Sequence, residues 1–140
     1  MRYVYPVKLK RDADGGYVVT CAEVPEAITE GDSREEALSE AADALAAALG
    51  GYVEARRPIP KPREARAGEA QVALPALIAA KLALYSAMRE QRVSNVELAR
   101  RLGVTETVVR RLVHPDHRSK IERVEEALAV LGKHLVVEAA

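Results

Sequence analysis

The segment from 94 to 112 constrains the fold of this chain more than any other, because it joins two short helical patterns through a glycine turn. Gly103 is the residue best suited to a positive φ, which ends the first pattern. Thr105 then stands where its side chain can cap a second helix. The apolar residues at helical spacing are Val96, Leu98, Ala99, Leu102, Val104, Val108 or Val109, and Leu112. The pattern predicts two short helices with a tight turn between them.

Two short helices joined by a tight turn form a helix-turn-helix, whose second helix enters the major groove of DNA. Arginine can donate two hydrogen bonds to guanine, glutamate can accept one from cytosine, and threonine can contact the methyl group of thymine. Polar residues of the first helix lie where phosphates would meet it. The alternative is a plain three-helix packing unit whose arginines are only solvated. The candidate DNA-binding residues are Asn95, Arg100, Arg101, Thr105, Glu106, Thr107, Arg110 and Arg111.

Charge is divided unevenly along a chain whose formal net charge is zero. Between 12 and 54 there are eleven acidic residues and one basic residue, a net charge of −10. Between 76 and 140 there are eleven basic and eight acidic residues, a net charge of +3. An acidic segment attracts basic surfaces, whereas a basic patch attracts phosphate. The two parts of the chain are expected to bind different partners, although an acidic run can also be a solvated face.

Bulk properties indicate a globular protein of the cytoplasm. The 140 residues can form one medium domain or two small ones. The single cysteine, Cys21, cannot form an internal disulfide, which fits a reducing compartment. No apolar run reaches membrane-spanning length, and no leader pattern is present. We therefore expect a cytoplasmic protein without a membrane partner.

The first 74 residues have the pattern of a small sheet with one helix. The four predicted strands are 2–10, 17–21, 27–30 and 69–74, the first two joined as a hairpin by a glycine turn. Ser33 and Glu36 form a capping box, which opens a long alanine-rich helix. Alternating prolines within 56–68 favour an extended, linker-like segment. These features predict one small domain over 1–74.

Residues 75–140 have the pattern of an all-helical domain. Pro75 suits the first turn of a helix that runs to about Arg92. A further amphipathic helix spans 121–131, and the glycine after it ends it. The apolar segment 135–137 is a candidate terminal strand, which a second copy of the chain would have to pair. The predicted fold is α+β, with domains at 1–74 and 75–140.

Catalytic and metal-binding patterns are weak. Cys21 has no base at motif spacing, and the chain has no nucleophile elbow or phosphate-binding glycine loop. His114 and His117 flank a proline break, which is poor spacing for zinc. Asp12 and Asp14 are most simply turn formers. We expect no enzyme activity, no metal and no cofactor.

Several motifs resemble those of the HicB antitoxin family. Their sequences are Tyr5-Pro6, Asp14-Gly15-Gly16-Tyr17 and Glu23-Val24-Pro25-Glu26-Ala27-Ile28-Thr29-Glu30-Gly31-Asp32-Ser33-Arg34-Glu35-Glu36-Ala37-Leu38. Ile59-Pro60-Lys61-Pro62 looks like the end of the same family's domain. The segment from 77 through the helix-turn-helix resembles family members that have a Cro/repressor-like DNA reader. The resemblance covers nearly the whole chain.

The resemblance implies a fold and partners. The N-terminal domain would be a reduced ribonuclease-H-like sheet and helix that has lost catalysis and covers a HicA-like toxin, a small basic ribonuclease. The C-terminal domain would dimerise and repress the toxin–antitoxin operon by binding operator DNA. The acidic segment suits this role, because acids can occupy the places where RNA phosphates would sit. The candidate toxin-binding residues are Glu23, Glu26, Glu30, Asp32, Glu36, Glu40 and Asp43.

The sequence thus predicts a two-domain antitoxin and autorepressor that forms a dimer or a larger homo-oligomer. The alternative is a one-component transcription regulator whose N-terminal domain senses a small ligand. A metal-dependent nuclease is the least favoured class, because the N-terminal carboxylates are spaced as on a surface rather than in a convergent site.

Overall fold

The computed structural model describes all 140 residues, which form two compact units. The sheet unit comprises Met1–Tyr52 and Pro60–Pro75, and the helical unit comprises Val53–Ile59 and Ala76–Ala140. The chain therefore crosses between the units three times, and the segment 53–59 belongs to the helical unit. The mixed α+β class expected from the sequence is confirmed. None of the helices combines the length and the apolar character that a membrane span requires.

The sheet unit contains four antiparallel strands in the order β3-β2-β1-β4, with one long helix between β3 and β4 in the chain. The elements are β1 (Val4–Arg11), β2 (Tyr17–Thr20), β3 (Thr29–Gly31), α1 (Arg34–Glu54) and β4 (Glu69–Ala73). All four predicted strands are present, with the third displaced toward the helix. Because β3 pairs only with β2, it is an edge strand.

Gly15 and Gly16 of the Asp14-Gly15-Gly16-Tyr17 motif lie in the turn of the hairpin between β1 and β2. Arg11 lies opposite Tyr17, and the Asp12 amide donates to the carbonyl of Gly16 at 2.7 Å. Gly15 has a φ of 89°, a left-handed conformation in which a side chain is strained. The turn geometry explains why glycine follows the aspartate.

The motif that begins at Glu23 leads into α1, and its last residues fix the start of this helix. Ser33 Oγ accepts from the Glu36 amide at 3.1 Å, as a capping box requires. The Glu36 carboxylate accepts from the amide of Asp32 at 3.2 Å, one residue earlier than the expected amide of Ser33. Gly31 packs so closely against the first turn of α1 that an added Cβ would lie 2.7 Å from Ala37 Cα. The Gly-Asp-Ser series is therefore a junction between an edge strand and a helix.

Buried side chains of the sheet unit come from both the strands and α1. Tyr5, Val7 and Val19 are almost fully buried. The buried residues of α1 recur mainly at every fourth position, so one stripe of the helix faces the interior. The residues of this stripe are Ala37, Ala41, Leu45 and Leu49.

The proline-rich segment is tied to the sheet from Pro60 onward. Tyr5 Oη donates to the Pro60 carbonyl at 2.7 Å. Arg63 forms ion pairs with Glu23 and Glu69, each at 2.7 Å. Hydrogen bonds from the Arg63 side chain and from the Arg66 amide lower the pKa of Glu69 to about 2. The ion pairs connect a loop after β2 to the start of β4.

The helical unit contains four helices with one common core. They are α2 (Ala76–Gln91), α3 (Asn95–Leu102), α4 (Glu106–Val113) and α5 (Ile121–Val130). The core includes Leu84, Leu98, Val109 and Val124, all fully buried.

The apolar segment 135–137 forms no strand in the single chain, and the terminal strand expected on pairing with a second copy stays a prediction. The helical unit contains no strand with which this segment could pair its main chain. Val136 and Val137 are largely exposed as a result.

Candidate functional site

The helix-turn-helix of the helical unit has the caps that the sequence predicts. Ser94 Oγ accepts from the Glu97 amide at 3.1 Å at the start of α3. Gly103 ends α3 with a φ of 69°. Thr105 Oγ1 accepts from the Val108 amide at 3.4 Å at the start of α4. Local hydrogen bonds therefore define both ends of the turn.

The structure decides which valines of the motif face the core. Val109 is fully buried, whereas Val108 is 37% exposed, which resolves the two options left by the sequence. Val96 has helical spacing but is 68% exposed. It lies at the N-terminal end of α3, outside the packed face, and thus adds an apolar side chain to the surface of the motif.

The candidate DNA-binding residues all lie on α3, α4 or the turn between them. Thr107, Arg110 and Arg111 are exposed on α4. Arg110 lies 3.8 Å from Glu106, and Asn95 Nδ2 lies 3.5 Å from the same carboxylate group. Thr105 uses its hydroxyl as a helix cap. The remaining side chains present hydrogen-bonding groups along the surface of the motif.

The two arginines of α3 share a carboxylate. Arg100 and Arg101 contact Glu97 Oε1 at 2.6 and 3.0 Å. Hydrogen bonds from these two guanidinium groups lower the pKa of Glu97 to about 2. A guanidinium has five donors, so both residues retain donors for a phosphate.

Lys81 is a fully buried cation beneath the C-terminal end of α4. Its ammonium donates to the carbonyls of Arg111 and His114, at 2.8 and 2.9 Å, and to Ser119 Oγ at 2.9 Å. Carbonyls at a helix C-terminus lack intrahelical donors and carry partial negative charge. Burial lowers the pKa of Lys81 to about 8, while three acceptors match the three N–H groups of the ammonium. Lys81 therefore joins α2 to the end of the candidate recognition helix.

Replacing Lys81 by methionine is expected to destabilise the helical unit by about 2 kcal/mol, because the Arg111 carbonyl would lose its donor and the His114 carbonyl would keep only the His117 amide. This cost outweighs the gain from removing a buried charge. The measurement is denaturant unfolding followed by helical circular dichroism. Ser119→Ala is the matched control, since it removes one acceptor and should cost about 1 kcal/mol or less. Equal stability of Lys81→Met and the wild type would show that water already solvates the end of α4.

A groove of about 670 Å³ opens in the helical unit beside the helix-turn-helix. Its apolar floor includes Val53, Met88 and Val113. Its polar lining residues include Arg56, Arg89, Arg92, Asn95, Glu106 and Arg110. Three of these six, Asn95, Glu106 and Arg110, are candidate DNA-binding residues from the sequence.

Glu54 and His114 line this groove and form a cluster with Asp116, in which the ligand atoms lie within 4.8 Å of one another. His114 Nδ1 accepts from the Asp116 amide at 3.1 Å, which assigns the imidazole proton to Nε2. His114 Nε2 lies 2.8 Å from Glu54 Oε1 and donates to it. A metal at Nε2 would require this proton to leave, so the arrangement fits a hydrogen-bonded cluster better than a metal site.

The seven candidate toxin-binding acids divide into engaged and free groups. Glu23 pairs with Arg63, Glu26 accepts from Tyr52 Oη at 2.7 Å, and Glu36 accepts from the Asp32 amide at 3.2 Å. The other four are exposed, one on the edge strand β3, one in the loop that follows it and two on α1. We call these four residues the free acidic surface: Glu30, Asp32, Glu40 and Asp43.

An apolar side chain lies close in sequence to the free acidic surface. Ile28 is 64% exposed, in the loop immediately before β3. Exposed single apolar residues are common, but one flanked by acids at a sheet edge can anchor a protein partner. The sequence analysis assigned Ile28 no role, since only the structure shows it to be exposed.

Sequence reasoning also missed Lys81 and the groove arginines. Lys81 has a detectable signal, because it interrupts an otherwise apolar stripe of α2 at helical spacing. Arg56 and Arg92 have no such signal, because each follows a helix in a position where charged residues are ordinarily solvated.

A family model for HicB-like antitoxins of bacterial toxin–antitoxin systems matches residues 4–83 of the chain. The matched range spans the sheet unit, with its two glycine motifs, and the first half of α2. The chain belongs to this antitoxin family.

Curated relatives match almost the full length of the chain. Antitoxin HicB 2 of Photorhabdus laumondii is 48% identical over 131 residues, which cover 94% of this chain and 92% of the relative. Antitoxin HicB of Pseudomonas fluorescens is 49% identical over 132 residues, 90% of this chain and 88% of the relative. Antitoxin HicB of Escherichia coli K12 is 36% identical over 131 residues, 94% of this chain and 95% of the relative. The similarity therefore includes the helical unit.

Proposed function

We propose that this antitoxin neutralises a small basic ribonuclease, a HicA-like toxin, by direct binding and represses its own operon by binding operator DNA. The sheet unit binds the toxin, and the helical unit binds the DNA. In both roles the protein acts by association rather than by catalysis. The proposal rests on one observation above others: the family-matched segment contains a stretch with a net charge of −10.

The free acidic surface supports the toxin-binding role. Its four side chains are exposed and lack the ion pairs that engage Glu23. Acids on a rigid strand and helix attract a basic surface over several ångströms and accelerate association. Such a surface would cover the groups with which a basic ribonuclease holds RNA phosphates.

The geometry of α3 and α4 supports the DNA-binding role. Both helices are capped at defined residues and pack on a common core, so α4 presents a fixed surface. Arg110 and Arg111 project from it with exposed side chains. In a symmetric dimer, two copies of α4 would enter successive major grooves about 34 Å apart.

Replacing Arg110 and Arg111 together by alanine is expected to weaken operator binding while leaving toxin binding intact. Each arginine that contacts a base or a phosphate contributes about 1–3 kcal/mol to binding. We call the slope of the logarithm of the binding constant against the logarithm of the salt concentration the salt slope, and removing one phosphate-binding side chain lowers its magnitude by about 1. The measurement is a salt series of binding to the DNA upstream of the protein's own gene. Loss of both activities in a folded variant would contradict separate binding units.

Co-expression tests the antitoxin proposal as a whole. We expect the small basic protein encoded beside this gene to stop growth alone, and this chain to restore growth and copurify with it. Without such a neighbour, or without rescue, the alternative of a one-component regulator gains weight. If the chain binds the toxin but does not bind the DNA upstream of its gene, toxin neutralisation stands and repression of the operon is contradicted.

A further inference from the structure

Two arginines adopt a backbone conformation that glycine ordinarily takes after a helix. Gly103 and Gly132 have positive φ after α3 and α5. Arg56 and Arg92 each have a φ of 56°, in the corresponding positions after α1 and α2. A left-handed conformation costs a residue with a Cβ about 1 kcal/mol relative to glycine. Each of these two arginines therefore lowers the stability of its turn relative to glycine.

Both strained arginines line the groove beside the helix-turn-helix. Their side chains are exposed, and neither guanidinium forms a hydrogen bond or an ion pair within the chain. Arg89 lies between them, donates to the Arg56 carbonyl at 2.7 Å and stacks over Tyr85 at 5.8 Å from the ring centroid. Together with Arg110 of α4, the groove thus presents four guanidinium groups from three separate segments of the chain.

The carboxylates of the groove do not cancel this positive charge. Glu54 and Glu106 bring two negative charges against the four positive charges of Arg56, Arg89, Arg92 and Arg110, so the lining has a net charge of +2. Glu106 lies beside Arg110, whereas Arg56 and Arg92 have no ion pair within the chain. An anionic ligand is the occupant that these charges favour.

The position of the groove indicates the kind of anion. It extends from the segment 53–59 to the first residues of α3 and to Glu106 and Arg110 on α4. The groove is therefore continuous with the surface proposed to read DNA. An open, basic channel beside a recognition helix suits a sugar–phosphate strand, since phosphate contacts position a protein on the duplex.

We propose that this groove holds the operator backbone, with Arg56, Arg89 and Arg92 contacting phosphates outside the two helices of the motif. The inference rests on the proposed DNA-binding function and extends its footprint to the end of α1. It also accounts for arginine where glycine would be the less strained residue.

The test replaces both strained arginines by glycine in the full-length chain. Because glycine relieves the backbone strain, the Arg56→Gly, Arg92→Gly variant should unfold at an equal or higher temperature than the wild type. Its affinity for the upstream DNA should fall roughly tenfold per arginine at about 0.1 M salt, and its salt slope should fall by about 2. Stability and affinity are thus expected to change in opposite directions.

The matched control replaces the same residues by lysine, which retains the charge and the strained backbone. Arg56→Lys, Arg92→Lys should keep most of the salt slope of the wild type. A glycine variant that binds with unchanged affinity and slope would overturn the inference, whereas a wild-type chain that fails to bind DNA would overturn the DNA-binding function itself. If the glycine and lysine variants lost the same affinity for DNA, the charge at positions 56 and 92 would not be what contacts the phosphates.

Discussion

Replacing Gly31 by alanine is expected to destabilise the sheet unit by about 3 kcal/mol or more, because the new methyl group would overlap the main chain of α1. The methyl carbon would lie 2.7 Å from Ala37 Cα and 2.9 Å from the carbonyl carbon of Glu36. These are backbone atoms in the capped first turn, which cannot move aside without breaking the capping box. Four of the five tyrosines, all except Tyr85, lie in the sheet unit, so tyrosine fluorescence during urea unfolding reports mainly on this unit.

Gly51→Ala is the matched control for this substitution. Gly51 lies within α1, and a Cβ there would meet no atom within 4 Å. Alanine in an exposed helical position should stabilise the helix by about 0.5–1 kcal/mol relative to glycine. If both variants changed stability equally, the close contact with α1 would not explain why position 31 is a glycine.

Reversing the charge of Glu30, Glu40 and Asp43 to lysine is expected to slow toxin association at low salt by at least about tenfold. The three residues belong to the free acidic surface, so their replacement breaks no ion pair that holds the sheet unit together. The difference should shrink as salt rises, since screening weakens long-range attraction. Stopped-flow association with the neighbouring basic protein at several salt concentrations measures it.

A second charge reversal, made elsewhere on the chain, distinguishes an effect of the free acidic surface from an effect of net charge. Glu122, Glu125 and Glu126 are exposed on α5 of the helical unit, and changing them to lysine alters the net charge equally. This control should leave the association rate close to that of the wild type. Equal rates for both variants and the wild type would mean that the acidic surface is only solvated.

Local patterns predicted most secondary structure, because each pattern acts over a few residues. The helix cap at Ser33, the hairpin glycine at 15 and the turn glycine at 103 all adopt the expected geometry. The helix-turn-helix follows from the same short-range chemistry. The strand at 135–137 is absent from the single chain, because a strand requires a neighbour that no local pattern supplies, and its pairing with a second copy stays a prediction.

The candidate sites depended on contacts that sequence spacing does not show. Glu23 lies 40 residues from Arg63, yet their ion pair removes this acid from the free acidic surface. Lys81 binds carbonyls 30 and 33 residues away. Arg56 and Arg92 meet in one groove although a sheet strand and the whole of α2 separate them in the chain.

The sequence by itself determined most helices and strands, the turn glycines at 15 and 103, the uneven charge and the family resemblance. All four depend on short runs of residues or on composition. The tertiary structure decided which candidate toxin-binding acids are free, which lysine holds the C-terminal end of α4 and which arginines border the groove. These properties arise only when distant segments share an interior or a surface, where burial and hydrogen-bond partners select among chemically identical side chains.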